Sequence, residues 1–177
     1  MDRLVVATKT YQLPDRKIDW EVRLNLSSTI NAMSLPNGKI VLNSAIAWND
    51  LTDDELAFLI SHEMSHVLRE HARERKSIKY VSNSALLFVA TGLGQIPAFF
   101  TVYGGQLASS VPTSRIMETE ADLIGLDLMA RAGYKPQATI SFWDKTEARI
   151  KKRNIVYRNV LIFYRATQIL QIVKKLY

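Results

Sequence analysis

Cysteine is absent from all 177 residues, so no disulfide holds this chain. The compartment stays open, because a cysteine-free protein suits an oxidising or a reducing space. Histidine is scarce: His62, His66 and His71 are the three, and none follows. No repeat or flexible linker divides the sequence, and its length suits one compact domain with a real core. No signal peptide opens it, since the apolar stretch Leu4 to Ala7 is far too short for one.

The absence of acidic residues beyond Glu147 gives the tail its own character. The net charge of +6 invites a nucleic-acid or anionic-membrane partner, but its distribution argues otherwise. Residues 1–142 hold 14 Lys/Arg and 15 Asp/Glu, while the last 35 positions hold 9 basic residues against only Asp144 and Glu147. The body is therefore neutral, and nucleic acid is not an expected partner. Residues 80–114 carry no charged side chain. Gly92, Gly94, Pro97, Gly104, Gly105 and Pro112 cut that stretch into pieces shorter than the roughly 20 residues of a membrane span. Two short helices are expected there, forming a lid or a membrane-contacting flap.

What the chain does hold is His62-Glu63-Met64-Ser65-His66. On a helix, residues four apart stack on one face, so both imidazoles would point at one zinc ion. Glu63 lies about 100° further round the same turn, within reach of a water at that metal as general base. A helix is expected to start near Asp53, because Thr52 and Glu55 have the spacing of a capping box. Leu56, Leu59, Ile60, Glu63, Met64 and Val67 then form a mostly apolar stripe at helical spacing. A carboxylate on such a stripe needs a balancing cation or proton.

Hydrolytic zinc takes three protein ligands, so one more is required. His71 lies about 500° round the helix from His66 and is expected to face away, as a supporting or surface residue. Glu118-Thr119-Glu120-Ala121-Asp122 supplies the better candidate. Glu118 and Asp122 are four apart and share a face with Gly125. Glu118 would bind the metal, Asp122 would accept the N–H of a ligating imidazole, and Glu120 would point elsewhere. The competing reading is an acidic first turn stabilised by the helix dipole.

Three blocks, Ile30 to Ile40, His62 to His71 and Ser114 to Gly125, together resemble the HtpX/BepA-like zinc metallopeptidases, a family that also contains the CAAX prenyl proteases. The resemblance spans most of residues 20–135. It implies one zinc per chain held by His62, His66 and Glu118, with Glu63 as base and Asp122 supporting a ligand. It also implies an α+β, mainly helical minigluzincin-type domain over residues 1–148. The activity implied is endopeptidase cleavage of polypeptides, in envelope protein quality control. The implied location is the cell envelope, periplasmic or membrane-associated, in a natural protein that begins upstream.

Trp20 to Leu26 alternates as a strand would, Pro36-Asn37-Gly38 reads as a turn, and Lys39 to Leu42 is a second extended run, so a hairpin is expected. The resemblance puts its edge, at Asn31, Ala32 and Met33, beside the metal as the place where substrate adds as a strand. A merely structural hairpin is the alternative. The family's downstream Ser-x-His-Pro segment is missing. Codons compatible with Ile162 to Val173, read two bases later, can spell Ser-Ser-His-Pro. Residues 149–177 are accordingly read either as a frameshifted ending or as a basic helix for a membrane surface or partner. The gene's own codons decide between the two.

Overall fold

The computed structural model describes residues 1–29, 31–47, 51–80 and 98–152. The elements run α1 (Asp2–Thr8), β1 (Glu21–Asn25), β2 (Ala32–Ser34), β3 (Lys39–Asn43), α2 (Ser44–Ala47) and α3 (Asp53–Leu68). Helix α4 follows at residues 71–80. Helices α5 (Ala98–Arg131) and α6 (Ala138–Lys152) complete the described chain. The class is α+β, mainly helical with one small sheet.

Helix α3 starts where the capping box puts it. The Thr52 hydroxyl accepts from the Glu55 N–H at 3.3 Å, and the Glu55 carboxylate accepts from the Thr52 N–H at 2.8 Å. Far from lying on one apolar stripe, α3 is the central element. From Ala57 to Leu68 every residue is buried, including Ser61, Ser65, His62, Glu63 and His66. The two serines tolerate this because their hydroxyls donate to the Phe58 and Ser61 carbonyls at 2.9 and 2.7 Å. Phe58 joins Phe142 and Trp143 of α6 edge to face, and Leu126, Leu128 and Met129 bring α5 into the same core. Ile40 and Leu42 of β3 complete it from the sheet side.

The sheet departs from expectation. Its order is β1-β3-β2, with β1 parallel to β3 and β2 antiparallel to β3. The hairpin is thus β2–β3, and the strand predicted at Trp20 to Leu26 pairs with β3 in parallel, outside the hairpin. The reason is reach: the turn joins Ser34 to Lys39 tightly, so β2 takes the adjacent edge of β3 and leaves β1 the far one. Gly38 is required at that turn. It has φ +92°, and an added Cβ would sit 2.8 Å from the Asp19 carbonyl oxygen.

The expected fragmentation before residue 114 is also corrected for the part described. Helix α5 runs unbroken through Gly104, Gly105 and Pro112. A proline costs about 3 kcal/mol locally, but the turns after it are held by packing on α3, and extending a formed helix needs no new nucleus. Residues 81–97 of the expected lid, and 153–177 of the tail, lie outside the described residues. Among the described residues, no helix is long and apolar enough to cross a membrane.

Glu55 does a second job as the anchor of α6. Its buried carboxylate accepts from Ser141 Oγ at 2.6 Å and pairs with Lys145 Nζ at 2.8 Å. Burial pushes its pKa up, but Lys145, Ser141 and the Thr52 N–H together outweigh that and leave it below the ordinary 4.5. The stability it contributes is therefore complete above that value and lost as pH falls through the folded pKa. Glu55→Ala should cost on the order of 2 kcal/mol at neutral pH. In thermal melts across pH, the deficit should shrink below about pH 4.5; a pH-independent deficit would contradict the account.

Candidate metal centre

Two helices build the centre. His62 and His66 rise one turn apart on α3, and Glu118 and Asp122 rise one turn apart on α5. Gly125 lets the helices meet closely enough for these side chains to touch. A Cβ there would lie 3.1 Å from both the backbone N and Cα of His62, contacts that only main-chain displacement could relieve.

The ligand atoms of His62, His66 and Glu118 all lie within 4.8 Å of one another. The two Nε2 atoms are 3.1 Å apart, and each is 3.5 Å from a Glu118 oxygen. His62 Nδ1 is 2.9 Å from Asp122 Oδ1. A carboxylate there accepts, so Nδ1 carries the proton and Nε2 presents its lone pair to the group. Glu63 is buried on the same turn of α3. Asn31, Ala32 and Met33 lie at the start of β2, the strand that runs alongside α3.

His71 touches a candidate ligand, in keeping with the supporting role considered for it, but it faces the centre rather than away, and Glu120, expected to point elsewhere, joins it there. The helix does not continue straight to residue 71. It ends at Leu68, and Glu70 takes φ 54° in the left-handed region. Glu70 is held there by ion pairs to Arg16 and Arg73, each at 3.2 Å. The chain is thereby re-aimed, and His71, fully buried, turns back to place Nδ1 2.8 Å from His66 Nδ1. Its Nε2 is 3.1 Å from Glu120 Oε2, and Glu120 Oε1 is 2.6 Å from Arg69 Nε. Burial lowers the His71 pKa, and the hydrogen bond that His71 donates to Glu120 opposes this without outweighing it. The signal that could have located this network was the third histidine paired with a spare carboxylate. A left-handed glutamate gave no warning of the turn.

The donor set fits a metal ion. Around a tetrahedral zinc with bonds of about 2.0–2.1 Å, ligand atoms stand about 3.3–3.4 Å apart, close to the 3.1 and 3.5 Å separations here. Lone pairs and a carboxylate converging in a buried space otherwise repel, and a cation relieves them. Soft thiolate ligands play no part, and two imidazoles with one carboxylate suit a divalent transition-metal ion.

The sequence pattern of Peptidase family M48 matches residues 2–172. The chain belongs to this family. M48 relatives include the mitochondrial metalloendopeptidase OMA1 of Saccharomyces cerevisiae, 33% identical over 147 residues, covering 77% of this chain and 40% of that protein. The bovine metalloendopeptidase OMA1 is 34% identical over 141 residues, covering 74% of this chain and 27% of its own. The beta-barrel assembly-enhancing protease of Escherichia coli is 29% identical over 135 residues, covering 70% and 28%. The chain thus spans well under half the length of these M48 relatives.

Gly125→Ala tests the helix contact. Forcing α3 and α5 apart by a few tenths of an ångström should cost about 1–3 kcal/mol and weaken metal binding, because the His62 and Asp122 pairing spans that contact. A variant with unchanged melting temperature and metal affinity would show that the close approach does not set the geometry.

Proposed function

We propose that this chain is a zinc-dependent endopeptidase. The observation that carries the reading is the convergence of His62, His66 and Glu118 beside a buried Glu63 on the central helix. Zinc, when bound, would polarise the scissile carbonyl and lower the pKa of the attacking water. His62, His66 and Glu118 would hold it, and Asp122 would keep the His62 ring in the ligating tautomer. Glu63 would take the proton of the attacking water and pass it to the leaving amine.

The polypeptide would add as a strand to β2. In the antiparallel ladder with β3, Asn31 and Leu35 point their main-chain groups at β3, accepting from Asn43 and donating to Lys39. By alternation, Ala32 and Ser34 direct theirs to the open edge. The side chains of Met33 and Leu35 are exposed beside it, as suits an edge awaiting apolar cover. A cavity of about 100 Å³ is lined by Ser34 and Leu35 at one side and by His66 at another, which joins the end of the strand to one of the candidate ligands. The relatives' names, metalloendopeptidase and beta-barrel assembly-enhancing protease, support a polypeptide substrate and an envelope quality-control role. Membrane contact through residues 80–114 and an envelope location belong to the same proposal.

A second reading, a zinc-binding domain with impaired catalysis, is motivated by one observation: within these 177 residues no histidine follows His71. Such a residue could steady the developing oxyanion. Glu63→Gln should retain one zinc and lose cleavage of an unfolded protein by at least about 100-fold, the scale of general-base catalysis. Equal turnover in wild type and variant would remove Glu63 as base. Zinc without turnover in the wild type would favour the impaired domain.

A further inference from the structure

We propose that His71 and Glu120, braced by Arg69, are positioning residues that fix the ring of His66 for metal binding. The inference rests on the metal-centre reading and assigns roles to residues that the ligand set does not use. A neutral imidazole that ligates through Nε2 must carry its proton on Nδ1, so His66 Nδ1 needs an acceptor. Two groups are near it: His71 Nδ1 at 2.8 Å and Arg75 Nη2 at 3.5 Å. A guanidinium only donates, so the acceptor is His71. Its own proton then sits on Nε2 and is donated to Glu120 at 3.1 Å, and Glu120 accepts a further bond from Arg69 at 2.6 Å. With both rings neutral and His66 Nε2 left free for the metal, this assignment is the one in which every donor along the relay meets an acceptor.

The interposed imidazole has an electrostatic reason. Glu63, Asp122 and the partly buried Glu118 already crowd the centre with carboxylates. A further carboxylate placed directly on His66 would add to an unfavourable buried cluster. A neutral histidine passes the acceptor's influence inward, while Glu120 stays one-third exposed and paired with Arg69. His71 is 0% exposed, and such a histidine is expected to have both nitrogens satisfied. His62 and His66 are thus oriented differently, His62 by Asp122 directly and His66 through a second ring.

The test uses the full chain, with zinc affinity from chelator competition, the Co²⁺ absorption spectrum, and the melting temperature of the metal-free form. His71→Leu removes the acceptor and should weaken zinc by about 10–100-fold, with a shifted cobalt spectrum. His71→Gln offers a side-chain carbonyl to the same N–H and should recover most of that loss. Glu120→Ala lies nearer the surface, folds independently of any core defect at residue 71, and should also weaken zinc several-fold or more. If His71→Leu and Glu120→Ala both bind zinc within about 2-fold of wild type with an unchanged cobalt spectrum, the network is mere packing and the proposal fails, whatever the melting temperatures do. A wild type that binds no zinc would overturn the metal reading and this inference together.

Discussion

Three electron-rich atoms, the Nε2 of His62, the Nε2 of His66 and a carboxylate oxygen of Glu118, point into one buried space. Each imidazole is turned that way by an acceptor behind it, Asp122 for His62 and His71 for His66. Convergence of this kind is unfavourable without a cation, because desolvated lone pairs and a charge gain nothing from facing one another. On the proposed reading, the surrounding fold holds the groups in place for an ion, and its arrangement serves that demand.

Rigidity comes from burying α3 all round from Ala57 onward. Helix α5 closes on it at Gly125, where the absence of a Cβ sets the separation. Helix α6 closes on its start, where Glu55 serves at once as cap, ion-pair partner and acceptor for Ser141. Phe58 ties those two contacts to the centre, since its ring lies 5.4 Å from that of Phe142 and 6.2 Å from that of His62. The small sheet contributes Ile40 and Leu42 to the core and leaves β2 alongside the metal helix with an open edge.

Local rules made the beginning of α3 and the facing pairs of the centre legible in the sequence. Thr52 and Glu55 announce a cap by spacing alone, and the His62 with His66 and Glu118 with Asp122 intervals each put two groups on one helical face. What remained hidden depended on contacts between distant segments. Which edge of β3 is left for β1 depends on which edge β2 occupies. His71 turns inward because Glu70 adopts a left-handed conformation held by Arg16 and Arg73, neither of which its own residue type predicts. Glu120 looked idle for the same reason, since its partner was expected on the opposite side. Pro112 lies within a helix that local propensity would end, because packing downstream outweighs one lost hydrogen bond.

If two imidazoles and Glu118 form one metal site, the purified protein should contain the metal. The full chain, purified without chelators and analysed for zinc, should carry one ion per molecule. Glu118→Gln, which keeps the shape of the side chain but removes its charge, should lose most of that zinc while retaining its helical content. A wild type devoid of metal, or a variant that holds zinc as fully and tightly as the wild type, would contradict that assignment.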